Sequence, residues 1–207
     1  MSRIILLVEG ETEVALRDAL KTFLDEACTK AGKPKVRLVP RPEGSDLFHA
    51  AKGRRIVDSA LSEHDVTGVV ALIDVKAPPT KNRRSFQTAD DALDWLRALS
   101  SDSRYRGHVA LHDFEAWLLP YWDDICKRLK RHQAAPGPNP ERVNLDSPPS
   151  QRLAELYRLA GRGKYNKPRD GAAILKGKDL TIAAGQCLQL KAFLNSLLRL
   201  AECPVLK

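Results

Sequence analysis

The chain has no run of 18 or more apolar residues, which excludes a membrane-spanning helix of ordinary length. Its opening apolar stretch, Ile4 to Val8, is too short for a secretory signal and meets an acid, Glu9, too early. A cytoplasmic protein with no membrane partner is expected. Its four cysteines, Cys28, Cys126, Cys187 and Cys203, lie far apart, with no C-x-x-C pair and no histidines at zinc-finger spacing. That pattern excludes a disulfide framework and a structural zinc, and leaves reduced, structural thiols. There are no internal repeats. What remains, 207 residues with 43% apolar content, suffices for one full core and a small appendage.

The charge is unevenly placed. Residues 1 to 125 carry 18 Lys or Arg against 20 Asp or Glu, a net of −2, whereas residues 126 to 207 carry 16 against 6, a net of +10. A basic C-terminal part is the footprint expected of a polyanion partner, since each phosphate neutralised releases a counterion. A basic solubilising surface has the same composition.

Ile4 to Val8 reads as a buried strand, and Val14, Leu16, Leu20, Phe23 and Leu24 as the apolar stripe of a helix that Gly32 and Pro34 end. Val36 to Val39 predicts a second strand, and Ser45 is placed to cap a helix reaching about Leu61. Val66 to Ile73, β-branched and apolar, suits a central strand buried on both faces, and it runs into Asp74. After a basic, Pro-containing loop, Lys76 to Phe86, Thr88 can cap a helix ending near Leu99, with Asp90 and Asp91 in its first turn. His108 to Leu111 predicts a fourth strand, and Phe114 to about Leu129 a helix kinked near Pro120. The domain reading is an α/β unit over 1–131, a Pro-rich connector over 132–149 and a basic helical extension over 150–207, with helices at Ser150 to Leu159 and Gln186 to Ala201. The last of these is amphipathic and is expected to pack on the chain's own sheet, the alternative being a partner or a second copy of the chain.

Strands alternating with helices predict a mostly parallel sheet of about four strands, and in such sheets ligands bind outside the carboxyl ends of the strands. The acids lie there: Glu9 after the first strand, Asp74 after the third, Asp113 and Glu115 after the fourth. A single Asp after a strand is commonly a cap or turn former. Acids at three strand ends would repel without a cation, and Mg²⁺ (or Mn²⁺) takes such oxygen ligands together with substrate phosphates.

Val8-Glu9-Gly10-x-Thr12-Glu13 after the first strand, and an Asp at the end of a later apolar strand, resemble the two signatures of Toprim domains. The block His112-Asp113-Phe114-Glu115-Ala116-Trp117 resembles a motif of small Toprim-like bacterial proteins related to the overcoming-lysogenization-defect nucleases. Similarity extends to Tyr165-x-Lys167 and the closing apolar helix. The resemblance implies a Toprim/Rossmann-like α/β fold and Mg²⁺-dependent phosphodiester chemistry. It also implies a separately encoded ATPase partner and a part in antiphage defence. One departure stands out: where most Toprim domains have Asp-x-Asp, this chain has Asp74-Val75-Lys76.

On that reading Glu9 is a general acid or base and a metal ligand with Asp74, Asp113 and Glu115, and Gly10 lets the backbone approach a phosphate. The acids of 9 to 13 also suit a helix N-terminus without any site. Asp113 and Glu115 share a face if the strand continues, and lie about 200° apart if a helix begins there. Lys76, His112, Lys164, Tyr165 and Arg169 are candidate nucleic-acid contacts, with Tyr165 offering a ring for base stacking. Lys167 is a candidate for stabilising transition-state charge. His112 reads equally as structural, and Trp95, Trp117 and Trp122 as core or interface. The functional expectation is a metal-dependent nuclease acting on DNA or RNA. A non-catalytic nucleic-acid or effector-binding subunit of an ATPase complex is the alternative, which Lys76 favours. A phosphoacceptor domain using Asp74 also fits acids at strand ends, though the basic tail and Glu9-Gly10 count against it.

Overall fold

The computed structural model describes residues 2–10, 13–75, 86, 88–142 and 147–207. Lys76, with the rest of its loop up to 85, lies outside them. Four strands, β1 (Arg3–Val8), β2 (Arg37–Pro42), β3 (Val66–Val75) and β4 (Tyr105–Leu111), form one sheet in the order β2-β1-β3-β4. Every neighbouring pair is parallel. The expected Toprim/Rossmann-like α/β architecture is therefore present.

The two central strands read as near-continuous apolar runs because both of their faces are covered. Alternate residues feed two cores. Ile5, Leu7, Val69, Ala71 and Ile73 face α2 (Ala50–Leu61) and α3 (Ala89–Arg97). Ile4, Leu6, Val8, Val70 and Leu72 face α1 (Arg17–Lys30) and the C-terminal helices. Close packing at two points needs glycine. A Cβ on Gly107 of β4 would lie 2.4 Å from the Leu96 side chain of α3, and one on Gly68 of β3 would lie 2.5 Å from Leu200. The edge strand β2 carries Pro40 and Pro42, the position in a sheet where a missing N–H is tolerated.

Local signals account for most boundaries. α1 ends at Lys30 and Gly32 follows with φ 64°, a left-handed turn. Thr88 caps α3 in a reciprocal capping box with Asp91. Three boundaries differ from expectation. Ser45 falls in a short 3-10 helix, Gly44–Phe48, and α2 begins only after His49. Asp74 is the penultimate residue of β3 rather than its sequel. The segment after β4 is a 3-10 helix, Phe114–Tyr121, and the α-helix α4 starts at Trp122, since Pro120 cannot donate to an α ladder.

The C-terminal part contains α5 (Pro149–Leu159), α6 (Lys167–Leu175), α7 (Leu180–Ala184) and α8 (Leu188–Leu200). Their apolar faces, including Leu153, Leu156, Ile174, Phe193 and Leu197, join the same core as β1 and α1. α8 packs on the chain's own sheet, where Phe193 lies edge-on to His108 of β4 and stacked on Trp117. Its N-terminus is capped from far away in sequence. Buried Glu141 accepts from the backbone N–H groups of Gln189 at 3.1 Å and Leu190 at 3.3 Å, and from Trp117 Nε1 at 3.1 Å. Since the substitution removes the acceptor of all three donors, Glu141→Ala is expected to cost about 2–3 kcal/mol. A urea titration checks this; a loss below about 0.5 kcal/mol would mean that α8 finds other partners.

Candidate active site

The chain switches direction across the sheet between β1 and β3: β2 lies on one side of this central pair and β4 on the other. Crevices at such switch points, outside the carboxyl ends of the strands, are the usual ligand sites of open α/β sheets. Val8 pairs with Leu72, and Asp74 with Ala110, so Glu9, Asp74 and the residues following Leu111 emerge along one rim. Glu9 is half-buried there, whereas Asp74, Asp113 and Glu115 are 4%, 3% and 0% exposed.

Asp113 and Glu115 adopt neither of the two arrangements weighed from sequence. Asp113 is extended, with φ −157° and ψ 163°, and Glu115 stands in the first turn of the 3-10 helix. Both are buried nonetheless. The turn inward is made by His112, whose φ of 69° is left-handed. His112 anchors that bend by donating its backbone N–H to the Val75 carbonyl at 3.0 Å.

Lys167 reaches into the acid site and contacts Glu115. Its Nζ lies 3.1 Å from Glu115 Oε1 and 3.2 Å from Oε2. α6 presents it on a locked first turn. The Asn166 side chain accepts from Arg169 N–H at 2.9 Å, and Asp170 accepts from Asn166 N–H at 2.7 Å and pairs with Arg169. Gly171 allows the close approach, since a Cβ there would meet Phe114 at 3.2 Å. Burial works to lower the Lys167 pKa, but the fields of Glu115, Asp113 and Asp74 outweigh it and raise the value, which keeps the ammonium charged.

Among the described residues, the one cation in contact with Glu115 does not balance the burial of the acids. Burial, aided by Asp113 and opposed by Lys167, pushes Glu115 up to about 7. Asp113 Oδ2 accepts a 3.3 Å bond from Ser150 N–H at the start of α5, while its Oδ1 is buried without a hydrogen-bond partner among the described residues. An orphaned, buried carboxylate oxygen beside an acid whose charged form burial disfavours is a site short of positive charge among the described residues. Its all-oxygen donors fit a hard divalent cation such as Mg²⁺, which needs only one or two carboxylates. No three ligating side chains gather into a ready cluster among the described residues.

The other candidates divide. Lys164 is exposed, and Arg169 is exposed but paired with Asp170 at 2.8 Å. Tyr165 corrects the expectation of a stacking surface. It is 6% exposed, edge-on to Tyr157, and its phenol is driven up by burial and by the acids Glu115 and Asp113, so its ring is part of the site's wall. Trp117 and Trp122 are core, as read. His112 is half-buried, and burial lowers its pKa against the pull of Asp113, which favours a neutral imidazole. The capping role of Asp113 toward α5 was not legible, because its partner lies 37 residues away.

The chain belongs to the family described as domain of unknown function DUF4276, whose match spans residues 8–198. It is similar in structure to the C-terminal region of the Burkholderia pseudomallei OLD protein, with a TM-score of 0.51 at 16% identity, covering 97% of this chain and 99% of that one. That likeness is one of fold. No curated protein matches. Among the described residues, no helix is long and apolar enough to cross a membrane.

Two outcomes follow from the site's charge. The folded chain holds Glu115 above the 4.5 of the unfolded state, so it binds more protons than the unfolded chain between about pH 4.5 and 7. Stability contributed by this group is therefore full at low pH and falls by up to about 3 kcal/mol as pH rises through that window. Glu115→Gln should flatten this slope in thermal unfolding scans, and millimolar Mg²⁺ should restore wild-type stability near pH 8 more than near pH 5. Equal Mg²⁺ effects at both would speak against cation binding by these acids. For His112, Gly and Asn should match or exceed wild-type stability, and Val should lose about 1–3 kcal/mol, following tolerance of a left-handed backbone. A Gly variant that unfolds more readily than Val would overturn that account.

Proposed function

We propose that the protein is a metal-dependent nuclease of Toprim type, hydrolysing phosphodiester bonds in DNA or RNA. The observation that carries this reading is the burial of Asp74, Asp113 and Glu115 at the carboxyl ends of parallel strands beside the switch point, with the Lys167 ammonium in contact with Glu115. The likeness to part of the OLD protein and the Toprim-like motifs support it.

Asp74, Asp113 and Glu115, with Glu9 at the mouth, are the residues that would hold Mg²⁺ or Mn²⁺. Such an ion, when bound, supplies Lewis-acid polarisation of the phosphate. Lys167 is positioned to face the negative charge that builds on the phosphoryl oxygens, once substrate or cation loosens its pairing with Glu115. Glu9, the least buried of the acids, has solvent access and can exchange a proton with the attacking water or the leaving oxygen. Gly10 leaves room for backbone approach at the same rim. Lys164 and Arg169 would steer the polyanion toward this mouth, His112 would contact it as a neutral hydrogen-bonding group, and Lys76, from outside the described residues, completes the set of candidate contacts.

We infer a cytoplasmic setting and action with a separately encoded ATPase in antiphage defence. Support comes from the motif block and from the neighbour being one region of a larger protein. A second reading, a nucleic-acid-binding or effector-binding subunit without catalysis, is favoured by the Lys167–Glu115 contact, which satisfies part of the acid site without a metal.

Incubation of supercoiled plasmid and single-stranded RNA with the purified chain in Mg²⁺ or Mn²⁺ tests both. A nuclease cuts, loses cutting with chelator, and loses about 10²-fold or more with Glu9→Gln while its fold is kept. Binding without cutting, unchanged in Glu9→Gln, would sink the catalytic reading and support the second.

A further inference from the structure

Apart from the acid site, an unexplained concentration of charge lies at the end of α4. Lys127, Arg128, Lys130, Arg131 and His132 are all exposed. Lys127, Lys130, Arg131 and His132 line a shallow depression of about 540 Å³ in which Asp123 is the one acid. The field of a helix C-terminus accounts for cations in its last turn, Lys127 and Arg128. It does not account for Lys130, which has left the helix with φ 51°, or for Arg131 beyond it. The side chains of Lys130 and Arg131 make no ion pair or hydrogen bond among the described residues. Lys127 has only a 3.9 Å approach to Asp124, which Lys178 already holds at 2.6 Å. The cluster is thus only partly compensated, by Asp123 and Asp124, and a polyanion would relieve the remaining repulsion.

Its position connects it to the site. Arg128 donates to the Ala173 carbonyl of α6 at 3.1 Å, and its charge reaches Asp170 and Tyr157. α6 begins with Lys167, so from the acid site to the Arg128 anchor is about 9 Å along the helix. Arg169 lies between them on the first turn, and the α4 cluster continues outward.

We propose that the end of α4 is a second, remote contact site for the phosphate backbone of a single nucleic-acid strand, reached from the acid site along α6. This rests on the nucleic-acid reading above and adds to it a directed track and a minimum length. A strand confined to the acid site does not touch the α4 cluster, whereas one of the length typical of single-strand sites, about 4–16 nucleotides, does. Recognition there is electrostatic and indifferent to sequence, because no exposed aromatic ring lines the depression.

The test is equilibrium binding of a fluorescent thymidine dinucleotide and of an oligothymidylate of about 20 nucleotides in EDTA, which prevents cutting, across a salt series. It compares the wild type with a Lys127→Gln, Lys130→Asn, Arg131→Gln variant. All three residues lie outside the acid site, and Asn tolerates the left-handed backbone at 130. Single Arg131→Gln serves if the triple variant unfolds at a lower temperature. The wild type should bind the long strand more tightly than the short one. The triple variant should lose about tenfold or more on the long strand alone, with the slope of log affinity against log salt falling by about 2, or by about 0.7 for the single variant. Long-strand binding with an unchanged slope in both variants would overturn the remote site and leave the nucleic-acid reading standing. Absence of wild-type binding to either strand in EDTA would overturn the remote site, which needs no metal, and leave the metal-dependent reading to the cutting assay. Competition by polyglutamate as strong as that by oligothymidylate at equal charge would assign the cluster to an acidic protein and overturn the proposal.

Discussion

The contact between Glu115 and Lys167 ties the two parts of the chain together. Glu115 is fully buried on the 3-10 helix that follows β4, and Lys167 begins α6 in the C-terminal part, 52 residues later. A buried carboxylate without a partner would be protonated or would unfold its surroundings. The position of α6 is thus constrained by the charge at the end of the sheet, and the Gly171–Phe114 approach and the Asn166–Asp170 turn serve to hold that geometry. A pair of this kind is weak as a source of stability, because desolvation offsets most of its Coulomb gain. Its value lies in placing one cation among several acids, an arrangement with no evident structural advantage over an apolar contact.

The sheet was readable from sequence because β1 and β3 are apolar runs bounded by Gly10 and Asp74, and parallel strands buried on both faces leave that mark. α1, α3 and α8 were readable from their stripes and caps. α6 and α7 were not. They are 9 and 5 residues long, the first contains Pro168 and Gly171, and too little of either repeats at helical period to stand out. The acids themselves were legible through strand ends alone, but their burial and the approach of Lys167 depend on contacts spanning 37 to 52 residues. Tyr165 illustrates the limit: basic neighbours suggested a surface ring, while the fold turned it inward against Tyr157. Glu141 gave no sequence signal at all, since a cap supplied across 48 residues has no local pattern.

The departure Asp74-Val75-Lys76 gains meaning from this charge balance. Asp74, Asp113 and Glu115 already exceed what Lys167 neutralises, as the elevated Glu115 and the orphaned Asp113 oxygen show. Position 76 lies outside the described residues; by charge alone, an aspartate there would add a negative charge two residues after Asp74, where this chain adds a positive one. On the nuclease reading, a chain with one acid fewer in this motif would hold one divalent ion more readily than two, because each added ion must be matched by carboxylates. Lys167 then takes over part of the charge neutralisation that a second ion would provide. Activity would accordingly depend on loosening the Lys167–Glu115 contact when phosphate and cation arrive together, which makes substrate binding and assembly of the catalytic charge a single event.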